Sequence, residues 1–321
     1  MTMSIILLIA ICICALCLGQ YAISITDVFS AILGKQTIKN AAVVIWNVRI
    51  PRILLSCIAG AGLACAGAAF QSLFANPLAT PDTLGCANGA SFGAALGILL
   101  GFSGIGVQLS ALLFGILSVV LVFLITKTRE TNNMMMVILG GMVISSLFSA
   151  LVSFIKYVAD PNDVLPVITF WLMGSFSNAT MKSLCTGGPI ILFGIVVLYL
   201  MRYRLNILSL RKEEAISMGI PVKRDRALVI LSASLITASV VSMCGVIGWI
   251  GLLIPHIARM LFGNNTKRVI PACIIFGALF MVSIDTIARC ATSSEIPVSI
   301  LTAIIGAPVF LALLRKTGGI R

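Results

Sequence analysis

Residues 48–74 read VRIPRILLSCIAGAGLACAGAAFQSLF, and this stretch decides the fold. Beyond Arg52 it carries no charge, and small residues recur four apart at Gly60, Ala64 and Ala68. About 20 apolar residues are enough to cross the hydrocarbon core of a bilayer as an α-helix. Small residues at this spacing let two such helices approach closely. The stretch therefore predicts a membrane-spanning helix whose small residues serve tight packing or line a substrate passage.

The rest of the chain has the same character. Its 321 residues are 60% hydrophobic and 10% charged, and the mean hydropathy is +1.13. A soluble domain carries about 25% charged residues and could not hide so much apolar surface. We therefore expect an all-α polytopic membrane protein with a single domain, residues 1–321. The net charge of +12 is not arranged in basic runs interleaved with aromatic residues, so we expect no nucleic-acid partner.

Ten apolar stretches predict about ten transmembrane helices in a lipid bilayer. The first stretch has no Lys or Arg before it and continues to Ile25, so we interpret it as a span and not as a cleaved signal peptide. The spans are placed near Met3–Ser24, Arg52–Leu73, Leu84–Gly101, Gly106–Thr126, Met134–Tyr157, Pro189–Tyr203, Ala227–Gly248, Ile254–Phe262, Val269–Ala288 and Val298–Leu314. Placing both termini in the cytoplasm puts most of the 22 Lys and Arg residues on the inner side, as the positive-inside rule requires.

Two polar loops interrupt the apolar pattern. The outer segment Ala159–Lys182 contains an apolar piece around Trp171 and predicts a short helix at the membrane surface. The inner segment Arg204–Arg226 is the largest polar stretch, and its helical periodicity stops at Gly219. Such a helix either lies on the membrane surface or docks a partner.

The residues point to no reaction centre. The chain has no G-x-x-x-x-G-K-[ST] phosphate loop, and only Asp285 falls inside a predicted span. The single histidine, His256, follows a proline at a helix start, and Cys14 and Cys17 have no His or acidic neighbour, so we predict no catalytic residue and no metal site. Secondary transporters usually keep ionisable residues at mid-membrane. An ion-coupled transporter and a membrane scaffold are therefore weaker alternatives to a passage that a separate ATPase drives.

Three arginines have an unusual position. Arg49, Arg52 and Arg289 lie at the outer ends of predicted spans, on the side that the positive-inside rule disfavours. They either extend to lipid phosphates or pair with acidic residues of an external partner.

The long motifs of the chain resemble a single family from end to end. These motifs are residues 48–93, FWLMGSF at 170–176, SLRKEEAISMGIPV at 209–222, GVIGWIGLLIPHIARML at 245–261 and SEIPVSILTAIIGAPVFLALL at 294–314. They are similar to the permeases of type II ATP-binding-cassette (ABC) importers for ferric siderophores, haem and vitamin B12. The resemblance implies the permease fold of those importers. Ferric siderophore is the first expected cargo, haem or cobalamin the next, and an oxyanion such as molybdate a further one.

The same resemblance implies a set of partners. Two ABC ATPase subunits, which hold ATP and Mg, would bind beneath the permease, and this chain itself would hold no cofactor. An extracytoplasmic substrate-binding protein would deliver the cargo. A second permease copy would complete a dimer, most simply a homodimer, in the cytoplasmic membrane of a bacterium or archaeon.

The resemblance also implies roles for individual residues. Arg49 and Arg289, with Arg52 as a weaker candidate, fall where family members dock the binding protein. The coupling segment that meets the ATPase, residues 204–226, has its contact positions at Glu214, Ala215, Met218 and Gly219. The inner gate and pathway positions are Asn76, Leu78, Asn133 and Met134, although a run of three methionines replaces the small polar residues expected after Asn133.

Overall fold

The computed structural model describes residues 1–21, 23–32, 41–126, 134–292 and 294–316, and this part of the chain is helical without any β-strand. A π-helical turn at Ile45–Arg49 and a 3-10 turn at Pro81–Leu84 accompany the α-helices. The α-helices in chain order are α1 (Thr2–Cys17), α2 (Ile25–Ile32), α3 (Ala41–Val44), α4 (Ile50–Leu73), α5 (Cys86–Leu99), α6 (Gly104–Thr126), α7 (Met134–Val158), α8 (Val164–Leu172), α9 (Met181–Leu200), α10 (Arg204–Leu208), α11 (Lys212–Ser217), α12 (Val222–Cys244), α13 (Ile250–Phe262), α14 (Thr266–Ala291) and α15 (Val298–Lys316).

Each of the ten predicted spans overlaps one of these helices, which confirms the predicted fold class. Six stretches are long and apolar enough to cross a membrane by themselves, while α1, α5, α13 and α15 are shorter apolar helices. Short helices are tolerated at membrane depth where neighbouring helices bury their ends. The six long stretches are Ala41–Leu73, Gly104–Thr126, Met135–Val158, Met181–Leu200, Val222–Cys244 and Thr266–Ala291.

Helices α4 and α12 form the centre of the molecule. In the most apolar 18-residue segment of each span, 83% is buried in Ala41–Leu73, which contains α4, and 78% is buried in α12. In α7 the corresponding share is 17%. Close packing of α4 depends on its glycines: a Cβ atom added to Gly60 would lie 2.2 Å from the carbonyl oxygen of Gly277 in α14. A Cβ added to Gly67 would lie 2.1 Å from the carbonyl oxygen of Gly251 in α13. The small residues of the opening stretch therefore bring helix backbones into contact.

Several helices begin earlier than the sequence predicts, and the difference is largest at two of them. The predicted sixth span starts at Pro189, whereas α9 starts at Met181, where Thr180 accepts a hydrogen bond from the amide of Ser183. Neighbouring helices let membrane helices contain an internal proline, so Pro189 does not mark the start. The helical stretch that contains α4 likewise begins at Ala41, before the predicted Arg52, and its π-helical turn at Ile45–Arg49 directly precedes Pro51 in the first turn of α4.

Candidate functional site

A buried ion cluster joins α4, α14 and the loop after α14. The guanidinium group of Arg52 donates to the carboxylate of Asp285 at 2.8–3.0 Å and to that of Glu295 at 3.0 Å. Arg52 is 5% exposed and Asp285 is 1% exposed, so neither charge could be buried at this depth without the other. Glu295 has a backbone φ of 53°, which is uncommon outside glycine, and its ion pair holds the loop in that conformation.

The other two arginines contact the end of α1. Arg49 donates to the carbonyl oxygens of Leu16 and Tyr21, and Arg289 donates to that of Ala15. The last carbonyl groups of a helix lack partners within it, and a cation near them also interacts favourably with the helix dipole. Both arginines therefore act as a cap for α1.

These five side chains form a cluster that we call the outer arginine cluster, after the predicted orientation of the chain, and it consists of Arg49, Arg52, Arg289, Asp285 and Glu295. Three guanidinium groups face two carboxylates, so the cluster retains a net positive charge. The side chains of Arg49 and Arg289 are only 3% and 5% exposed. The docking role stays a prediction, and in this structure both arginines are engaged by carbonyl groups at and beyond the end of α1.

The inner-gate positions lie after the end of α4. The side-chain oxygen of Asn76 accepts a hydrogen bond from the amide of Leu78 at 2.9 Å, which forms a tight Asx turn that exposes Leu78. Asn133 and the side chain of Met134 lie outside the described residues, although α7 begins at Met134. The gate role of these positions therefore stays a prediction.

The coupling segment contains two short helices, α10 and α11, where the sequence predicts one. Glu214 and Met218 are exposed, whereas Ala215 is fully buried against the body of the protein. The predicted end of the helix at Gly219 is confirmed, because α11 ends at Ser217 and Gly219 follows with a left-handed φ of 75°. A Cβ atom added to Gly219 would meet no atom within 4 Å, so only the backbone conformation favours glycine there. The segment thus exposes the polar Glu214 and the flexible Met218, while the buried Ala215 fixes the helix to the body of the protein.

A substitution at Gly219 tests this helix end. We expect Gly219→Val to speed amide hydrogen exchange in Lys212–Ser217 roughly tenfold, since a left-handed conformation costs a β-branched residue about 1–2 kcal/mol. Asparagine tolerates this conformation, so Gly219→Asn should have a much smaller effect. Equal exchange rates in the two variants would show that the glycine conformation does not matter.

The sequence does not predict the ion pairs of Arg52 and Arg204. Arg52 pairs with Asp285 across 233 positions of the chain, and the exposed Arg204 pairs with the fully buried Asp225 at 3.0 Å. The available signal was a single acidic residue within an apolar helix, because such a carboxylate needs a buried partner. Which arginine supplies the partner depends on the fold and could not be derived from spacing.

Comparison with known proteins agrees with this arrangement. The model of the FecCD transport family matches residues 6–316. The molybdate import system permease protein MolB of Haemophilus influenzae is 40% identical over 97% of this chain and 93% of its own length. A probable iron chelatin transport system permease protein of Helicobacter pylori is 34% identical over 90% of this chain and 87% of its own length.

A solved structure has the same fold. It is described as an inward-facing conformation of a metal-chelate type ABC transporter, and it is 40% identical in sequence. It covers 98% of this chain and 97% of its own, with a TM-score of 0.90. The chain is therefore a multi-pass membrane permease that belongs to the FecCD transport family.

Proposed function

We propose that this chain is the membrane-spanning subunit of an ATP-driven importer in the cytoplasmic membrane, with both termini in the cytoplasm. Two ATPase subunits bind its coupling segment, a binding protein delivers cargo to its outer face, and a second copy of the chain completes the passage. The carrying observation is the coupling segment, where the exposed Glu214 and Met218 stand on the buried Ala215. A short exposed helix on a rigid base suits a groove on a separate protein.

The ion cluster argues against the ion-coupled alternative. Asp285 is the single carboxylate that the sequence places inside a span, and Arg52 binds both of its oxygens. A carboxylate that carries protons or sodium across the membrane must exchange its partner in each cycle. We therefore expect uptake to persist with a proton uncoupler as long as ATP is maintained, and to stop when the ATPase subunit is removed.

For the cargo we propose an oxyanion of the molybdate type, with a ferric chelate as second candidate. The resemblance to the importer family makes ferric siderophore the first expectation from the sequence. The identity to the molybdate permease is 40%, however, against 34% for the iron chelatin permease, and the first match also covers more of the chain. The net positive charge of the outer arginine cluster suits an anion that approaches from outside.

Uptake in living cells separates the two candidates. In a strain from which the gene is deleted, we expect uptake of labelled molybdate to fall to background and uptake of a labelled ferric siderophore to stay unchanged. Returning the gene on a plasmid should restore molybdate uptake. Loss of the siderophore uptake alone would assign the second candidate, and no change in either would contradict both.

The docking role of the arginines is tested by charge reversal. We expect Arg49→Glu together with Arg289→Glu to weaken association of the binding protein, with a loss of on-rate that diminishes as salt screens the charges. Because both arginines also cap α1, hydrogen exchange in Thr2–Cys17 must be measured in parallel. Unchanged docking would contradict the assignment, and faster exchange in α1 without a salt-dependent on-rate would leave only the capping role.

A further inference from the structure

Helix α14 connects the two faces of the molecule. It has 26 residues, and at 1.5 Å per residue it is about 39 Å long. Its first residue, Thr266, lies beside the coupling segment, and its last turns carry Asp285 and Arg289 of the outer arginine cluster. One helix thus touches both places that the proposed function assigns to partner proteins.

The inner end of α14 is attached to α10 and to the residues just before it by side-chain hydrogen bonds. Asn206 in α10 accepts a hydrogen bond from the amide of Thr266 at 2.9 Å and donates one to the side-chain oxygen of Asn265 at 3.0 Å. Asn265 is the N-cap of α14 and also accepts from the amide of Lys267. The hydroxyl group of Thr266 donates to the carbonyl oxygen of Arg202, just before α10. The side chain of Asn206 therefore uses both its donor and its acceptor on the start of α14.

Along its length α14 is locked to α4. A Cβ atom added to Gly277 would lie 2.3 Å from the carbonyl oxygen of Gly60, so the two backbones are in direct contact. Nearer the outer face, Arg52 of α4 binds Asp285 of α14. Two contacts of different kinds make independent sliding of these helices difficult, because packed cores move between discrete arrangements and do not deform continuously.

The outer end of α14 is attached to the loop that follows it and to α1. The amide of Ile296 donates to the carbonyl oxygen of Ala288 at 3.1 Å, which ties the loop after α14 to its last turns. Glu295 in the same loop binds Arg52, and Arg289 binds the end of α1. A displacement of α14 would therefore carry Asp285 and Arg289 with it and would act on Arg52 and Glu295 through their contacts with α14 and its loop.

We propose that α4 and α14 move as one rigid unit and that Asn206 is a positioning residue that joins this unit to the coupling segment. Motion at the ATPase side then reaches the outer arginine cluster without passing through flexible loops. The functional meaning rests on the proposed function, because it assumes that the coupling segment meets an ATPase. The mechanical link between the two faces does not depend on the proposed function.

Hydrogen exchange of the purified full-length chain in lipid nanodiscs tests the link without any partner protein. In Asn206→Ala we expect the Ile296 amide, at the opposite face, to exchange roughly fivefold faster, because the substitution removes both hydrogen bonds of Asn206 to the start of α14. The matched control is Asn264→Ala, which removes an exposed side chain with no hydrogen bond among the described residues on the same loop as Asn265. The control should leave Ile296 unchanged.

The outcomes separate a long-range link from a local one. If exchange accelerates at Thr266 and Lys267 but not at Ile296, α14 does not transmit the change from its inner end to its outer end, and the proposal is wrong. Should Asn206→Ala not yield folded protein, Asn206→Asp keeps the acceptor for Thr266 and loses the donor to Asn265, and a smaller acceleration at Ile296 is expected. Because no cargo or ATP is involved, failure of the uptake experiment would leave this result standing, and the reverse also holds.

Discussion

Replacing Arg52 by leucine should lower the free energy of unfolding by about 3–5 kcal/mol. The substitution leaves Asp285, which is 1% exposed, without the guanidinium group that binds it. It also removes the ion pair of Glu295, which holds the loop after α14. Removing one partner of a buried pair costs far more than removing both, because the remaining charge stays buried and unpaired. Chemical unfolding in mixed micelles would measure the loss.

Two further variants show whether the unpaired charge is the cause. Arg211→Leu removes an exposed arginine of the coupling segment and should change the stability by no more than about 0.5 kcal/mol. Arg52→Leu combined with Asp285→Leu replaces both charges by apolar groups and should recover most of the loss. A double variant as unstable as Arg52→Leu alone would show that lost packing or the released Glu295, and not the unpaired Asp285, is responsible.

The helices could be predicted from the sequence because each apolar run must cross the same thickness of lipid. Ten apolar runs coincide with helices of the structure, and six of these helices are long enough to cross a membrane by themselves. The end of the coupling helix has a different origin, because Gly219 adopts the left-handed conformation, φ 75°, that glycine tolerates best. The first residues of the helices could not be predicted in the same way. Pro189 looked like a first residue, yet α9 begins at Met181, since neighbouring helices rather than local propensity stabilise its first turns.

The surroundings of the site residues could not be predicted in the same way. The sequence places Arg49 and Arg289 at outer ends of spans, where lipid phosphates or a partner protein could reach them. Their hydrogen bonds to Leu16 and Ala15 depend on where α1 ends against two other helices. No local pattern encodes that contact, so a structural role for these arginines became visible only in the folded chain.

Gly277→Ala should lower the free energy of unfolding by about 2–3 kcal/mol, although alanine is the better helix former. The added Cβ would lie 2.3 Å from the carbonyl oxygen of Gly60 and 2.7 Å from the Cβ of Ala64. A backbone carbonyl in the middle of a helix cannot move aside, so α4 and α14 must separate and lose contacts on both sides. The gain of about 1 kcal/mol in helix propensity is too small to offset this loss.

The matched control is Gly104→Ala at the start of α6, where an added Cβ meets no atom within 4 Å. It should be neutral or slightly stabilising, because only the propensity gain remains. If Gly277→Ala behaved like this control, α4 and α14 would not be in backbone contact, and the rigid unit would lose its central attachment. If instead it is destabilising and also removes the effect of Asn206→Ala on the Ile296 amide, the contact at Gly60 and Gly277 is the step through which the two faces of the permease are connected.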